Sequence, residues 1–161
     1  MSKQSFSIRW STPADMSAVH ALIHELATYE KAPAEHTCTV EQLTEDGFGS
    51  NPIFECLVAE MPDKGVMGMA LFFTKYSTWK GMCIYLDDLM VHEPYRGLGI
   101  GKALLHELMR IARDRKAQRL EWQVLDWNEP AIGFYRALGA ELDPTWINCK
   151  LTFQQLQNFR G

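Results

Sequence analysis

Apolar and polar residues alternate along this chain with two different periods, and the switches between them divide it into short extended runs and amphipathic helices. Residues 6–10 alternate with period two and predict a strand. In Ser11-Thr-Pro-Ala-Asp15, Thr12 suits an N-cap and Pro13 the first turn, and Met16, Val19, Leu22, Ile23 and Leu26 then recur on one face of a helix over residues 13–29. Thr39-Val-Glu-Gln42 has the form of a capping box and opens a shorter helix that stops near Gly47 and Gly49. Three extended runs follow, over residues 54–61, 66–77 and 82–92, separated by Pro62-Asp-Lys-Gly65 and by Gly81, and they predict an antiparallel meander. A helix over residues 101–116 turns Leu104, Leu105, Leu108, Ile111 and Ala112 inward and Lys102, Glu107, Arg110, Arg113 and Asp114 to water. Residues 120–126 read as a fifth strand. Asn128 and Pro130 start a helix that ends at Gly139, residues 145–151 read as a sixth strand, and residues 153–159 as a helical tail. Because a helix joins the fourth strand to the fifth, that pair is expected to be parallel within a mostly antiparallel sheet.

The length of 161 residues suits a single domain over residues 1–161. No apolar stretch approaches the roughly 20 residues that span a bilayer, and the start, Met1-Ser-Lys-Gln-Ser-Phe-Ser, has no signal-peptide core, so no membrane association and a cytoplasmic location are expected. Cys38, Cys56, Cys83 and Cys149 have neither metal-ligand nor C-x-x-C spacing, so reduced thiols and no metal site are expected. Nothing in the spacing supports a nucleophile pair such as Cys83 with His92. The net charge is −4 and the basic residues are dispersed, which disfavours nucleic acid and suits a small cationic substrate.

The chemistry concentrates where the fourth strand meets its helix, in Leu86-Asp-Asp-Leu-Met-Val-His-Glu-Pro-Tyr-Arg-Gly-Leu-Gly-Ile-Gly-Lys102. Glycines at 97, 99 and 101 before a helix N-terminus make an anion cradle that fits a phosphate or pyrophosphate. A P-loop fails, since Arg96 stands where its first glycine belongs and Ala103 where a Ser or Thr would hold magnesium. The dinucleotide fingerprint fails at Lys102, which replaces its third glycine. By itself the remaining motif, Arg-Gly-x-Gly-x-Gly, also describes an ordinary glycine-rich turn before an amphipathic helix.

That motif resembles the acetyl-coenzyme A signature of the GNAT superfamily of acetyltransferases, Gln/Arg-x-x-Gly-x-Gly/Ala. The element order is also that of the GNAT fold, an α/β arrangement with a mixed sheet flanked by helices and its fourth and fifth strands parallel and splayed. Leu26-Ala-Thr-Tyr-Glu30, Leu43-Thr-Glu-Asp-Gly-Phe-Gly49, Tyr85-Leu-Asp-Asp-Leu-Met-Val91 and Trp127-Asn-Glu-Pro-Ala-Ile-Gly-Phe-Tyr135 narrow the resemblance to the diamine acetyltransferases, which include spermidine/spermine and thialysine enzymes.

The resemblance implies acetyl-CoA as donor, held by Leu89, Met90 and Val91, by Arg96, Gly97, Leu98, Gly99, Ile100, Gly101 and Lys102, and by Asn128, Glu129, Pro130 and Ala131. It implies a small cationic amine as acceptor, bound by Tyr29, Glu30, Asp87, Asp88, Glu121, Trp122 and Gln123. Tyr135 takes the place of the family's catalytic tyrosine, which donates a proton toward the departing sulfur. Asp87 takes that of a glutamate considered as proton acceptor and is one methylene shorter, which favours a water relay. Without the resemblance, Tyr135 also reads as a core aromatic and Glu30 as a helix-end carboxylate. Alternation lets only one of Asp87 and Asp88 face a given side unless the strand bulges. A homodimer is implied by resemblance only. The readings left beside it are acetylation of another amine, a non-catalytic acyl-CoA sensor and a nucleotide-binding module.

Overall fold

Five strands form one sheet in the order β1 (Ser7–Trp10), β2 (Glu55–Met61), β3 (Gly65–Ser77), β4 (Gly81–Val91) and β5 (Leu120–Glu121), antiparallel throughout except for the parallel β4–β5 pair. The structure is a computed structural model that describes residues 5–160, so residues 1–4, part of the segment read for a signal peptide, lie outside the described residues, as does Gly161. By its internal contacts the chain divides into two units, Met1–Gln123 and Val124–Gly161.

In the first unit, alternation along β3 sorts the sheet's two faces. Met69 and Leu71 join Cys56 and Val58 of β2 in a core with Met16, Val19 and Leu22 of helix α1 (Met16–Tyr29) and Leu43 of helix α2 (Val40–Phe48). The opposite face carries Gly68, Ala70 and Phe72. A Cβ added at Gly68 would stand 3.1 Å from Ile100 Cγ2 and 3.3 Å from Leu104 Cδ1, so a side chain there would push away helix α3 (Ile100–Asp114). The expected inward face of α3, Leu104, Leu105, Leu108, Ile111 and Ala112, is buried. The Thr39 capping box opens α2, with the Gln42 N–H donating to Thr39 Oγ1 at 3.2 Å and the Thr39 N–H to Gln42 Oε1 at 3.1 Å.

The segment after α1 folds back on that helix. His36 lies against His20 and His24, with ring centroids 4.5 and 5.5 Å apart, and His20 Nε2 donates to the Cys38 carbonyl at 2.8 Å. This holds the chain just beyond Tyr29 and Glu30.

Two expected strands differ. The fifth covers Leu120–Glu121 rather than residues 120–126, because its parallel ladder stops after Ile84 with Leu120 and Tyr85 with Glu121. In the second unit, helices α4 (Glu129–Ala137) and α5 (Phe153–Gln157) form, but residues 145–151 make no strand. An alternating run becomes a strand only where a neighbour takes its backbone groups, and among its described residues this unit has no strand to pair with.

Candidate active site

The site grows from an irregularity in β4. Phe72 pairs with Leu86 and Leu71 with Asp88, so one step along β3 matches two along β4 and Asp87 is the extra residue of a β-bulge. The bulge resets the alternation. In a regular strand Leu86, Asp88 and Met90 would share one face. Here Leu86 pairs on the α3 side, whereas Asp88 and Met90 oppose Leu71 and Met69 on the α1 side. Asp88 is thereby brought toward the end of α1, where Glu30 sits.

Burial then separates the two aspartates. Asp87 is exposed, and surrounding protein raises its carboxyl above the usual range. Asp88 lies deeper and titrates at about 7, first because burial disfavours its charge and then because the negative charges of Asp87 and Glu30 stand nearby. Burial also raises Glu30. The Tyr85 phenol is raised by burial and by Asp87, Glu121 and Asp88. Lys75 Nζ sits 3.1 Å from Glu121 Oε2 and 5.4 Å from the Tyr85 ring centroid, and Arg119 Nη2 is 3.1 Å from Glu121 Oε1. Glu121 is thus balanced by two cations, while the charges that act on Asp88 are carboxylates.

Beyond the carboxylates, β4 runs through Leu89, Met90 and Val91 into the glycine loop. Gly97 (φ 77°) and Gly99 (φ 86°) occupy the left-handed region, and an added Cβ at either would meet nothing within 4 Å. Backbone conformation, rather than crowding by protein, requires glycine there. Gly99 is the N-cap of α3 and offers no capping side chain to the first N–H groups of the helix. Leu98 and Lys102 are exposed, Ile100 is buried as the first core residue of α3, and a Cβ added at Gly101 would stand 3.6 Å from Val91 Cγ2, an ordinary contact distance. Arg96 points elsewhere: its Nε donates to the Val91 carbonyl at 3.0 Å and its guanidinium lies over the Tyr29 ring at 5.3 Å.

Trp122 is half-buried and Gln123 exposed at the end of the first unit. In the second unit, Asn128 caps α4 by accepting the Ala131 N–H at 3.4 Å, with Glu129 and Pro130 exposed in the first turn. Tyr135 is buried in the same helix with its ring 5.3 Å from that of Phe134.

The sequence model of the acetyltransferase (GNAT) family matches residues 19–140. The chain belongs to the GNAT family. Among curated proteins, this GNAT chain is 41% identical over 141 residues to a thialysine N-epsilon-acetyltransferase of Bos taurus, with 83% of each chain covered. It is 38% identical to that of Mus musculus, with 98% of each covered. It is 36% identical to the spermidine/spermine N(1)-acetyltransferase-like protein 1 of Homo sapiens, over 84% of this chain and 20% of that protein. The GNAT fold recurs in an integron cassette protein from V. cholerae, at TM-score 0.77 and 23% identity with 95% and 96% of the two chains covered. It recurs also in a Trypanosoma brucei acetyltransferase, at TM-score 0.72 and 19% identity with 91% and 100% covered. The chain is an N-acetyltransferase.

The resemblance gives the proton-acceptor place to Asp87, and the bulge, which alternation by itself does not foretell, is what turns Asp88 toward Glu30. The sequence pattern does not single out Glu25. One turn before Tyr29 on α1, this residue takes His92 Nδ1 at 2.5 Å and the Glu93 N–H at 2.9 Å. Its i, i+4 spacing from Tyr29 was the available signal. Among the described residues no helix is long and apolar enough to cross a membrane.

Proposed function

We propose that this N-acetyltransferase moves the acetyl group of acetyl-CoA to a primary amine of a small cationic molecule, a diamine, polyamine or lysine analogue, by direct attack, and that its two units act as one catalytic domain in the cytoplasm. The observation that carries the reading is the group of carboxylates around β4, Glu30, Asp87 and Asp88, immediately before the glycine loop. Repulsion among them is relieved when a cation binds. The names of the thialysine and spermidine/spermine relatives support a substrate with a second cationic centre.

The residues present suit the donor. The uncapped start of α3 and the left-handed Gly97 and Gly99 leave backbone N–H groups for a pyrophosphate, and the backbone of Leu89, Met90 and Val91 suits an extended pantetheine arm. Asn128, Glu129, Pro130 and Ala131 are assigned to the same ligand by resemblance. Bound there, acetyl-CoA supplies an activated thioester.

The acceptor side needs a base. An alkylammonium near pKa 10.4 gives its proton to an ordinary aspartate only at a cost of about 9 kcal/mol, from a gap of about 6.5 units. With Asp88 at about 7 the gap is about 3.4 units and the cost about 5 kcal/mol. Asp88 is therefore the better proton acceptor, directly or through water, and exposed Asp87 serves to bind the cation. Tyr29, Glu30, Glu121, Trp122 and Gln123 complete the amine side. The free amine attacks the thioester carbon, the C–S bond breaks with its electron pair going to sulfur, the nitrogen gives up its remaining extra proton, and the sulfur leaves as the thiol after taking up a proton, with Tyr135 hydrogen-bonding it as charge develops.

A thiol-release assay with acetyl-CoA across diamines, polyamines, lysine analogues and monoamines tests the reading. Turnover is expected with the diamines, polyamines or lysine analogues and is expected to fall at least tenfold in Tyr135→Phe. Coenzyme binding without turnover on any amine would make the protein an acyl-CoA sensor instead.

A further inference from the structure

One carboxylate, Glu25, joins the segments assigned above to the coenzyme and to the amine. Glu25 lies on α1 one turn before Tyr29, so the two residues share a face of the helix. Its Oε2 accepts from His92 Nδ1 at 2.5 Å, and its Oε1 accepts the backbone N–H of Glu93 at 2.9 Å and lies 3.6 Å from Arg96 Nη2. These partners belong to the turn from His92 to Arg96, the segment that aims the chain into Gly97 and Gly99. Arg96 returns the contact by covering the Tyr29 ring at 5.3 Å while its Nε holds the Val91 carbonyl at 3.0 Å. The end of α1, the end of β4 and the entrance to the glycine loop are thus tied into one closed set of contacts with Glu25 at its centre.

We propose that Glu25 is a positioning residue that couples the two sites, fixing the glycine loop for the coenzyme and, through Arg96, the Tyr29 ring for the amine. This rests on the reading that the loop holds acetyl-CoA and that Tyr29 faces the amine. Glu25 is assigned to neither ligand. Its carboxylate, about three-quarters buried, gathers a side-chain donor, a main-chain donor and a guanidinium, and hydrogen bonds to a charged group at such a site hold geometry strongly. When it is lost, the turn and the helix end can move independently, and each ligand must then order its own half of the site.

The test begins with calorimetric binding of coenzyme A to the wild-type protein and the KM of a diamine at saturating acetyl-CoA. If the wild-type protein binds no coenzyme A, the donor reading itself falls, and this proposal with it. With binding established, Glu25→Ala is expected to weaken coenzyme A and raise the amine KM by roughly five- to tenfold each, with kcat within about twofold and an unfolding midpoint within a few degrees of wild type. Glu25→Gln, which keeps an acceptor for the Glu93 N–H and loses the charge for Arg96, should fall between the two. The KM effect of Glu25→Ala should also shrink in a Tyr29→Leu background, since both changes act on one contact. The proposal is overturned if binding and KM are unchanged, if kcat falls while KM holds, or if the losses merely track a lowered unfolding midpoint.

Discussion

Asp88 is the residue at which local environment most changes chemistry. Its carboxyl titrates at about 7 in the folded chain, against about 3.9 for an ordinary aspartate. A raised folded value means that its contribution to stability is fully present below about pH 3.9 and is lost as pH rises through about 7, above which the fold carries a partly buried charge. Asp88→Asn should therefore raise the unfolding midpoint relative to wild type at pH 8 and leave it nearly unchanged at pH 4, as scanning calorimetry would show. Activity should move the other way. The acid limb of kcat/KM is expected near pH 7 in the wild-type protein and absent in Asp88→Asn, with the rate at pH 8 reduced by about a hundredfold or more. Asp87→Asn should instead raise the amine KM and keep the limb, shifted toward acid because one repelling charge is gone. If Asp87→Asn abolished the limb and Asp88→Asn did not, the proton would belong to Asp87.

At the scale of elements, the glycine loop and the bulge answer to different constraints. Gly99 caps α3 at φ 86° with open space around the missing Cβ, so an alanine there meets backbone strain and no steric clash. Gly99→Ala is expected to destabilise the protein by about 1 kcal/mol in urea unfolding, and to weaken coenzyme A in calorimetry by much more than that if the loop's N–H groups hold the pyrophosphate. Equal small effects on both would remove the loop from the coenzyme site. Most elements were legible from period and punctuation: the capping box of α2, the buried stripe of α3 and the turn at Pro62-Asp-Lys-Gly65 are all local signals. The bulge at Asp87 was not, because no residue type announces it. It arises from the register between two strands, and that register exists only once Leu71, Phe72 and their partners are packed.

At the scale of the molecule, the second unit leaves large apolar side chains in water. Trp146 is 74% exposed, Ile147 88%, Phe153 75% and Phe159 79%, with Leu151 and Leu156 also exposed. The resemblance implies a homodimer, and a subunit interface is one place where such side chains would be covered. Sedimentation at micromolar concentration is expected to give about twice the 18.4 kDa chain mass, and the double variant Ile147→Asp, Leu151→Asp should sediment as a monomer. A wild-type protein that sediments at the chain mass would exclude the dimer.

The mixed sheet, the parallel β4–β5 pair, the glycine loop at the start of α3 and the family can all be read from the chain before it folds, because each rests on contiguous residues with a fixed period or spacing. Tertiary structure alone decided which aspartate is buried beside Glu30, that Arg96 covers Tyr29, and that Glu25 ties α1 to the loop. Those outcomes depend on register and on contacts between residues some 60 to 70 positions apart, such as Glu25 with His92 and Glu93, and local patterning does not encode them. It decided as well that residues 145–151 make no strand, since a strand needs a partner that its own unit does not provide.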